Sequence, residues 1–295
     1  MPPVDEAEST APRELRAIRV AIACAVVGAA TKLTAGVITG SMSMISSAID
    51  SLGDLVVSLV NVAVIRMSDA PPDDEHNYGH ARVEGLGAMF EGAFIFAAGV
   101  FIIYEAGHKM WIGELSHDST LGILVMLPIL AMTIATVLYL RRVARATGSL
   151  VIKADALHYL TDVWVNVGVL VSLILVKVTG VPIIDPLISI GIALYMLVSA
   201  LHIVRDGFGV VMDRRLDQAL IDQLQALLRA TPGIASFHDF KTRAGKIPHV
   251  DFHVVVAPET TTKEVHDLFL DLQARIRDLV GPTTKVLMHA DPLGG

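Results

Sequence analysis

Charge is scarce in this chain of 295 residues: Asp, Glu, Lys and Arg make up 18% of it, against 53% hydrophobic residues. Soluble domains carry roughly 25% charged residues. The shortage excludes an ordinary soluble protein and, with a positive mean hydropathy, indicates an integral membrane protein. A basic excess is also missing. The formal net charge is -7, which leaves no basic surface of the kind nucleic acid requires. Cysteine is down to a single residue, Cys24. It lies inside the first apolar segment, cannot close an intrachain disulfide, and reads as a structural thiol. No His-Glu-x-x-His helix and no nucleophile elbow is present, so the common hydrolase signatures are lacking. The polar residues 1–19 lead into an apolar segment without a convincing small-residue cleavage site, and that segment is expected to be retained.

What the chain does have is apolar length. Six segments, at roughly 17–39, 42–67, 84–106, 121–140, 154–178 and 186–204, each come near the ~20 residues that cross a hydrocarbon layer. Arg13, Arg16 and Arg19 precede the first. Arg66 and Arg82 flank the loop after the second, and Arg141, Arg142, Arg145 and Lys153 fill the loop after the fourth. Arg205, Arg214 and Arg215 follow the sixth, whereas the opposite side has little beyond Lys109 and Lys177. The positive-inside rule then puts both termini in the cytoplasm. Residues 1–212 are read as a six-helix transmembrane bundle and 213–295 as a cytoplasmic domain.

Two segments carry charges that apolar surroundings do not tolerate cheaply. Asp50 and Asp54 stand four residues apart in the second, so a helix presents both on one face, continued by Ser43, Ser47, Ser58 and Asn61. Each Asp at membrane depth costs roughly 2.5 to 3.5 kcal/mol unless something compensates it. In the fifth segment Asp155, His158, Asp162 and Asn166 again share a face. The two segments run antiparallel, which brings Asp50 level with Asp162 and Asp54 level with His158. Three carboxylates and one imidazole suit a tetrahedral divalent metal. The plainer reading is interhelical hydrogen bonding, but three carboxylates exceed what that needs. Lys32 is expected to snorkel to the membrane edge, and Glu91 to serve as a supporting residue, a proton site or an interface residue.

Asp73, His76 and His80 concentrate metal-ligating types in one cytoplasmic loop, although a solvated acidic loop is the default reading of such a stretch. The tail reads as helix 217–229, strands 237–242 and 250–256, helix from the Thr261–Glu264 capping box, and a last strand 285–289. That order suits a small open sheet with helices on one face. His238, His253, His266, His289 and Asp291 lie on separate elements, and their proximity does not follow from sequence. The alternation of the strands does turn His253 and His289 away from the core.

The Asp-x-x-x-Asp of Asp50 and Asp54, the His-x-x-x-Asp of His158 and Asp162, six spans and such a tail together resemble the cation diffusion facilitator family of divalent metal exporters, over residues 13–292. The resemblance implies a ferredoxin-like α-β-β-α-β tail, a loop metal site of Asp73, His76 and His80, and a binuclear tail site of His238, His253, His266, His289 and Asp291. It implies a homodimer with a charge contact of Arg82 and Asp213. One departure is Ala290, where relatives can carry a polar residue.

The expected activity is proton-coupled export of Zn2+, by alternating access, from the cytoplasm across a bacterial plasma membrane, with Zn2+ also a structural or regulatory ion of the tail. Other divalent metals fit the same ligand types. Protons and metal compete for the same carboxylates and imidazole. The alternatives are a metal-sensing membrane scaffold and a metal-dependent membrane enzyme. Neither explains carboxylates at membrane depth, so no enzymatic activity and no nucleic-acid partner are expected.

Overall fold

A computed structural model of the protein describes residues 10–39, 42–112, 120–181 and 183–294. They form two compact units, one ending at Phe208 and one beginning at Gly209.

The first unit is helical. Its elements are α1 (Ala11–Thr39), α2 (Met42–Ser68), α3 (Val83–Ile112), α4 (Thr120–Thr147), α5 (Leu150–Thr179) and α6 (Ile184–Val211), the last three residues of which belong to the second unit. Apolar sequence takes this form because a helix satisfies its backbone polar groups internally where no water can. Among the described residues, α1, α2, α3, α4 and α6 each contain a stretch long and apolar enough to cross a membrane. α5 has 30 residues and carries Lys153, Asp155, Asp162 and Lys177 along its length. Most helices run past the apolar segments that announce them. α4, for example, continues through Arg141, Arg142 and Arg145 to Thr147, because helical hydrogen bonding does not stop where the hydrocarbon does.

Helix ends are tied to one another. α4 closes on Gly148 at φ 71°, a left-handed position that glycine takes without a side-chain clash, and its N–H reaches the Ala144 carbonyl at 2.9 Å. Ser149 then opens α5. Glu84, in the first turn of α3, accepts hydrogen bonds from Ser149 Oγ, from the Leu150 N–H and from Ser68 Oγ at the end of α2. A carboxylate at a helix start satisfies donors that have no intrahelical partner. Glu84 thereby joins three helices at one level.

α3 and α6 approach through small residues. A Cβ on Gly207 would stand 2.5 Å from the Gly85 carbonyl oxygen, and one on Gly92 would stand 2.7 Å from Val204 Cγ2 and 3.1 Å from the Ala200 carbonyl. Small residues at such crossings let backbones meet.

The second unit contains α7 (Gln218–Ala230), β1 (Ser236–Arg243), β2 (His249–Val256), α8 (Thr262–Val280) and β3 (Lys285–Pro292). Its sheet has the order β1-β2-β3, antiparallel between β1 and β2 and parallel between β2 and β3. Val250, Phe252, Val254 and Val256 pack on Ile221, Leu224 and Leu228 of α7 and Leu272 and Ile276 of α8. Both members of the Thr261–Glu264 capping box are present. β3 runs three residues beyond the expected strand end and so takes Asp291 into the sheet.

The α3–α6 crossing generates a prediction. Gly207→Val forces these helices apart and is expected to destabilise the helical unit by about 1 to 3 kcal/mol, as overpacking does. The measurement is the thermal midpoint of the purified full-length protein. Gly107→Ala, where an added Cβ meets nothing within 4 Å, serves as the control and should not lower it.

Candidate metal centres

The face arithmetic of α2 and α5 has a direct geometric outcome. His158 Nε2 lies 3.0 Å from Asp54 Oδ1, with only 6% and 19% of the two side chains exposed. Asp54, His158 and Asp162 each offer a ligand atom within 4.8 Å of the others. Asp50 belongs to α2, one turn before Asp54, but its side chain lies outside the described residues. A tetrahedral ion with bonds of ~2.0 to 2.2 Å separates its ligand atoms by about 3.4 Å, so small side-chain movements bring these three onto one ion. Aromatic rings fix the imidazole. Phe94 of α3 and Tyr159 of α5 each meet it edge to face with centroids 5.8 Å apart. Tyr159 in turn donates its hydroxyl to the Ala21 carbonyl of α1 at 2.8 Å.

Beside the centre is a cavity of about 120 Å³ lined by Cys24, Lys32, Ser51, Asp54, Asp162 and Asn166, among others. Lys32 does not reach out to the membrane edge: its Nζ donates to Ser51 Oγ at 3.0 Å. An ammonium that finds a polar, carboxylate-bearing cavity gains more by turning inward than by stretching along apolar surface. Charge pattern alone does not distinguish those two outcomes.

The loop residues converge as well. Asp73 divides its carboxylate between two imidazoles, Oδ1 to His76 Nδ1 at 3.1 Å and Oδ2 to His80 Nε2 at 3.3 Å. The His76 and His80 rings stand 4.5 Å apart. The loop is bent into place by the same carboxylate, which accepts the backbone N–H groups of His76 and Glu75, and by Gly79 at φ 79°. The His76 N–H, with the two imidazoles, holds the Asp73 carboxyl below its ordinary range. Asp73 therefore remains an anionic ligand at any pH at which histidine is neutral.

In the tail, strand register does what sequence spacing does not. His238 pairs with His253 across β1 and β2, and His253 pairs with His289 across β2 and β3. Three imidazoles thus stand in a row on the face away from the helices, with ring centroids 5.1 and 4.8 Å apart. Asp291, two residues beyond His289, is common to all three. Its Oδ2 lies 3.0 Å from His253 Nδ1 and 3.3 Å from His238 Nε2, and its Oδ1 lies 3.2 Å from His289 Nε2. Next to His238 the register of β1 slips, with Asp239 at φ 50°. Lys241 pairs with Asp239 there and lowers its carboxyl pKa. His266 is exposed on α8, and its ring is not among the converging groups. Ala290 packs toward the hydrophobic core, on the opposite face from His289 and Asp291, so the absence of a polar group there leaves the histidine row untouched. Asp213 pairs with Arg243 at 3.7 Å.

The sequence names no partner for Glu91 or for Asp155, and the structure supplies one in Asn61. Asn61 Nδ2 donates to Glu91 Oε2 at 3.2 Å and to Asp155 Oδ1 at 3.3 Å, all three side chains being fully buried. Their positions on apolar helices mark Glu91 and Asp155 as costly, but which residue of α3 faces α5 depends on how α3 is rotated, and the sequence does not fix that.

Because Asp291 serves all three imidazoles, Asp291→Ala is expected to weaken Zn2+ binding at the tail at least about tenfold, the scale on which losing a ligand or its orienting partner acts. Zn2+ raises the melting temperature of any protein that binds it only when folded. The full-length Asp291→Ala protein should show a smaller Zn2+-induced shift than the unsubstituted protein.

Comparison with known proteins accords with this geometry. The model of the cation efflux transmembrane domain matches residues 18–212, and that of the cation efflux protein cytoplasmic domain matches residues 216–293. A cation-efflux pump FieF of Shewanella oneidensis is 30% identical over 278 residues, covering 94% of this chain and 93% of its own. An uncharacterised transporter of Synechocystis is 33% identical over 270 residues, 89% and 85% of the two chains. The FieF pump of Yersinia pestis strain Pestoides F is 33% identical over 255 residues, 86% and 84% of the two chains. These are transporters, not enzymes. With apolar helices able to cross a bilayer, a cytoplasmic-type α/β tail and matches along nearly its whole length, the chain belongs to the cation diffusion facilitator family of cation efflux transporters.

Proposed function

We propose that this protein exports a divalent metal, foremost Zn2+, from a bacterial cytoplasm in exchange for protons, as a homodimer working by alternating access across the plasma membrane. The observation that carries this reading is the meeting of Asp54 with His158 and Asp162 between two apolar helices, at a depth where a hydrolytic site has no use for it. In this reading all six long helices span the bilayer, α5 included, with both termini cytoplasmic. Residues 1–212 form the transport domain, completed by Asp50 as fourth ligand, and 213–295 a ferredoxin-like dimerisation and metal-binding domain.

The ligand set favours zinc. One imidazole among carboxylates gives a borderline site that suits Zn2+ better than the oxygen-only cages of Mg2+ or Ca2+. Only deprotonated ligands bind metal, so protons compete for the same atoms. His158, whose Nε2 stands 3.0 Å from Asp54 Oδ1, can hold at that nitrogen either a proton or the metal, but not both. The loop trio Asp73, His76 and His80 would receive metal on the cytoplasmic side. The tail row of His238, His253 and His289 with Asp291, joined by His266 in the binuclear arrangement of the family, would bind regulatory metal. Arg82 and Asp213 would form the charge contact between paired chains. A metal-sensing scaffold would need the tail but not the membrane trio. Family membership leaves the enzymatic alternative without support.

Asp54→Ala removes a ligand and, with it, a costly buried carboxylate, so the substituted protein should still purify as a folded dimer and should lose Zn2+ transport into proteoliposomes. Wild-type uptake by that dimer would sink the proposal. Zn2+ affinity at the membrane centre, with loop and tail ligands replaced, should fall as pH drops from ~7.5 to ~6, by about tenfold per pH unit for each proton that must leave. Calorimetry across that range reads it directly, and affinity flat with pH would leave a metal carrier without proton exchange. His158→Asp, which makes the set oxygen-only, should move preference from Zn2+ toward Mn2+ in the same titrations.

A further inference from the structure

Glu91 of α3 and Asp155 of α5 face each other, each fully buried, with the Asn61 amide of α2 donating to both at 3.2 and 3.3 Å. The shared amide holds the two carboxyl groups at one place between the helices, and because a carboxylate only accepts, neither can satisfy the other unless one carries a proton. Beyond the shared amide, Glu91 Oε1, Asp155 Oδ2 and Asn61 Oδ1 have no partner and no exposure to solvent. Two full negative charges cannot be held together in such a place, for the reason that keeps paired carboxyls in aspartic proteases from ionising together.

The charged and titratable groups nearby supply only part of the missing compensation. On α2, Asp54 adds negative charge. On α5, His158 is the nearest base and offsets part of the charge, but its Nε2 is engaged by Asp54 at 3.0 Å and Asp162 stands with them in the metal centre, while the Tyr159 hydroxyl is given to the Ala21 carbonyl. On α3, Glu84 is occupied by Ser68, Ser149 and the Leu150 N–H. α6 presents apolar Met196, Ala200 and Ile203 to this region of α3 and α5, in contact with Ala88, Ile95 and Ala154.

We infer that Glu91 and Asp155 share one proton and form a proton-binding site of their own, distinct from the metal centre. One O–H bond is made, with a proton taken from solvent, and the pair carries a net charge of one instead of two. The site lies one turn from His158 along α5 and two turns from Asp54 along α2. Its occupancy stands independently of the transport reading. Its use as a nearby store for the protons exchanged against metal rests on that reading.

The test is infrared spectroscopy of the full-length protein at pH 7 in bilayers, reading the carbonyl stretch of neutral carboxyl groups, which carboxylates lack. The unsubstituted protein should show a component equivalent to one neutral carboxyl per chain that is lost in the double variant Glu91→Gln, Asp155→Asn. Equal signals in the two proteins would mean that both groups are ionised, and a loss equivalent to two carboxyls would mean that each holds its own proton; either result overturns the sharing. A second measurement needs no substitution. Heavy-carbon labelling of Glu carboxyls alone, and of Asp carboxyls alone, should each shift that component in the unsubstituted protein. A component that moves with only one label, or none in this region at all, overturns the proposal in the same way. If the shared proton is confirmed but proton flux in liposomes is the same in the double variant, the site stands and its role in exchange falls.

Discussion

The 3.0 Å contact between Asp54 and His158 reconciles two demands that ordinarily conflict. A bilayer excludes isolated charge, and a site for a metal cation must hold ligands that are charged when it is occupied. Placing an imidazole against a carboxylate gives each an internal partner in the absence of metal. The helices must then stay close enough to keep that pair intact and adjustable enough to admit an ion between them. Much of the helical unit serves these two conditions: Phe94 and Tyr159 brace the ring, α1 anchors Tyr159 through Ala21, and the cavity beside Asp162 leaves space on one side.

The same demand recurs at regular intervals. On α2, Asp54, Asn61 and Ser68 follow at steps of seven residues, about 10 Å apart along a helix. Each meets a polar partner at its own level: His158 of α5 for the first, Glu91 of α3 and Asp155 of α5 for the second, Glu84 of α3 for the third. A step of seven returns a residue to nearly the same face, so a single seam of α2 organises three polar layers. The layer at Ser68 is structural, with a carboxylate satisfying the start of α5. The layer at Asp54 offers ligand atoms. The middle one has the composition of neither, and oxygens there lack partners.

How much of this was legible depended on whether a property belongs to one element or to a pairing of elements. The mutual facing of α2 and α5 follows from residues three and four apart on helices of opposite direction, and the cost of buried Asp made that stripe conspicuous. The tail helices and the core face of β2 were equally readable from periodicity, and the Thr261–Glu264 box marked the start of α8. The histidine row was not readable. His238 and His253 come level only across a β1 register that slips just beyond His238, and His253 and His289 only through a parallel pairing whose strands are separated by the whole of α8. Asp291 joins them because β3 outlasts its apolar alternation. Glu91 is conspicuous in the sequence without a visible partner, and Lys32 turns inward against the outward reach that its position suggests, since rotation of a helix and the polarity of a cavity are tertiary facts.

The glycines of the α3–α6 crossing bear on which seams can open. Where the Gly85 carbonyl comes within reach of a Cβ on Gly207, the two backbones are in van der Waals register, and a sliding motion would drive peptide groups into one another before any side chain could yield. Packed interfaces of this kind are bistable or fixed, not continuously deformable. α3 and α6 are accordingly expected to travel as one body, and any motion that admits an ion to the metal centre must be borne by seams lined with side chains, among them the polar seam of α2.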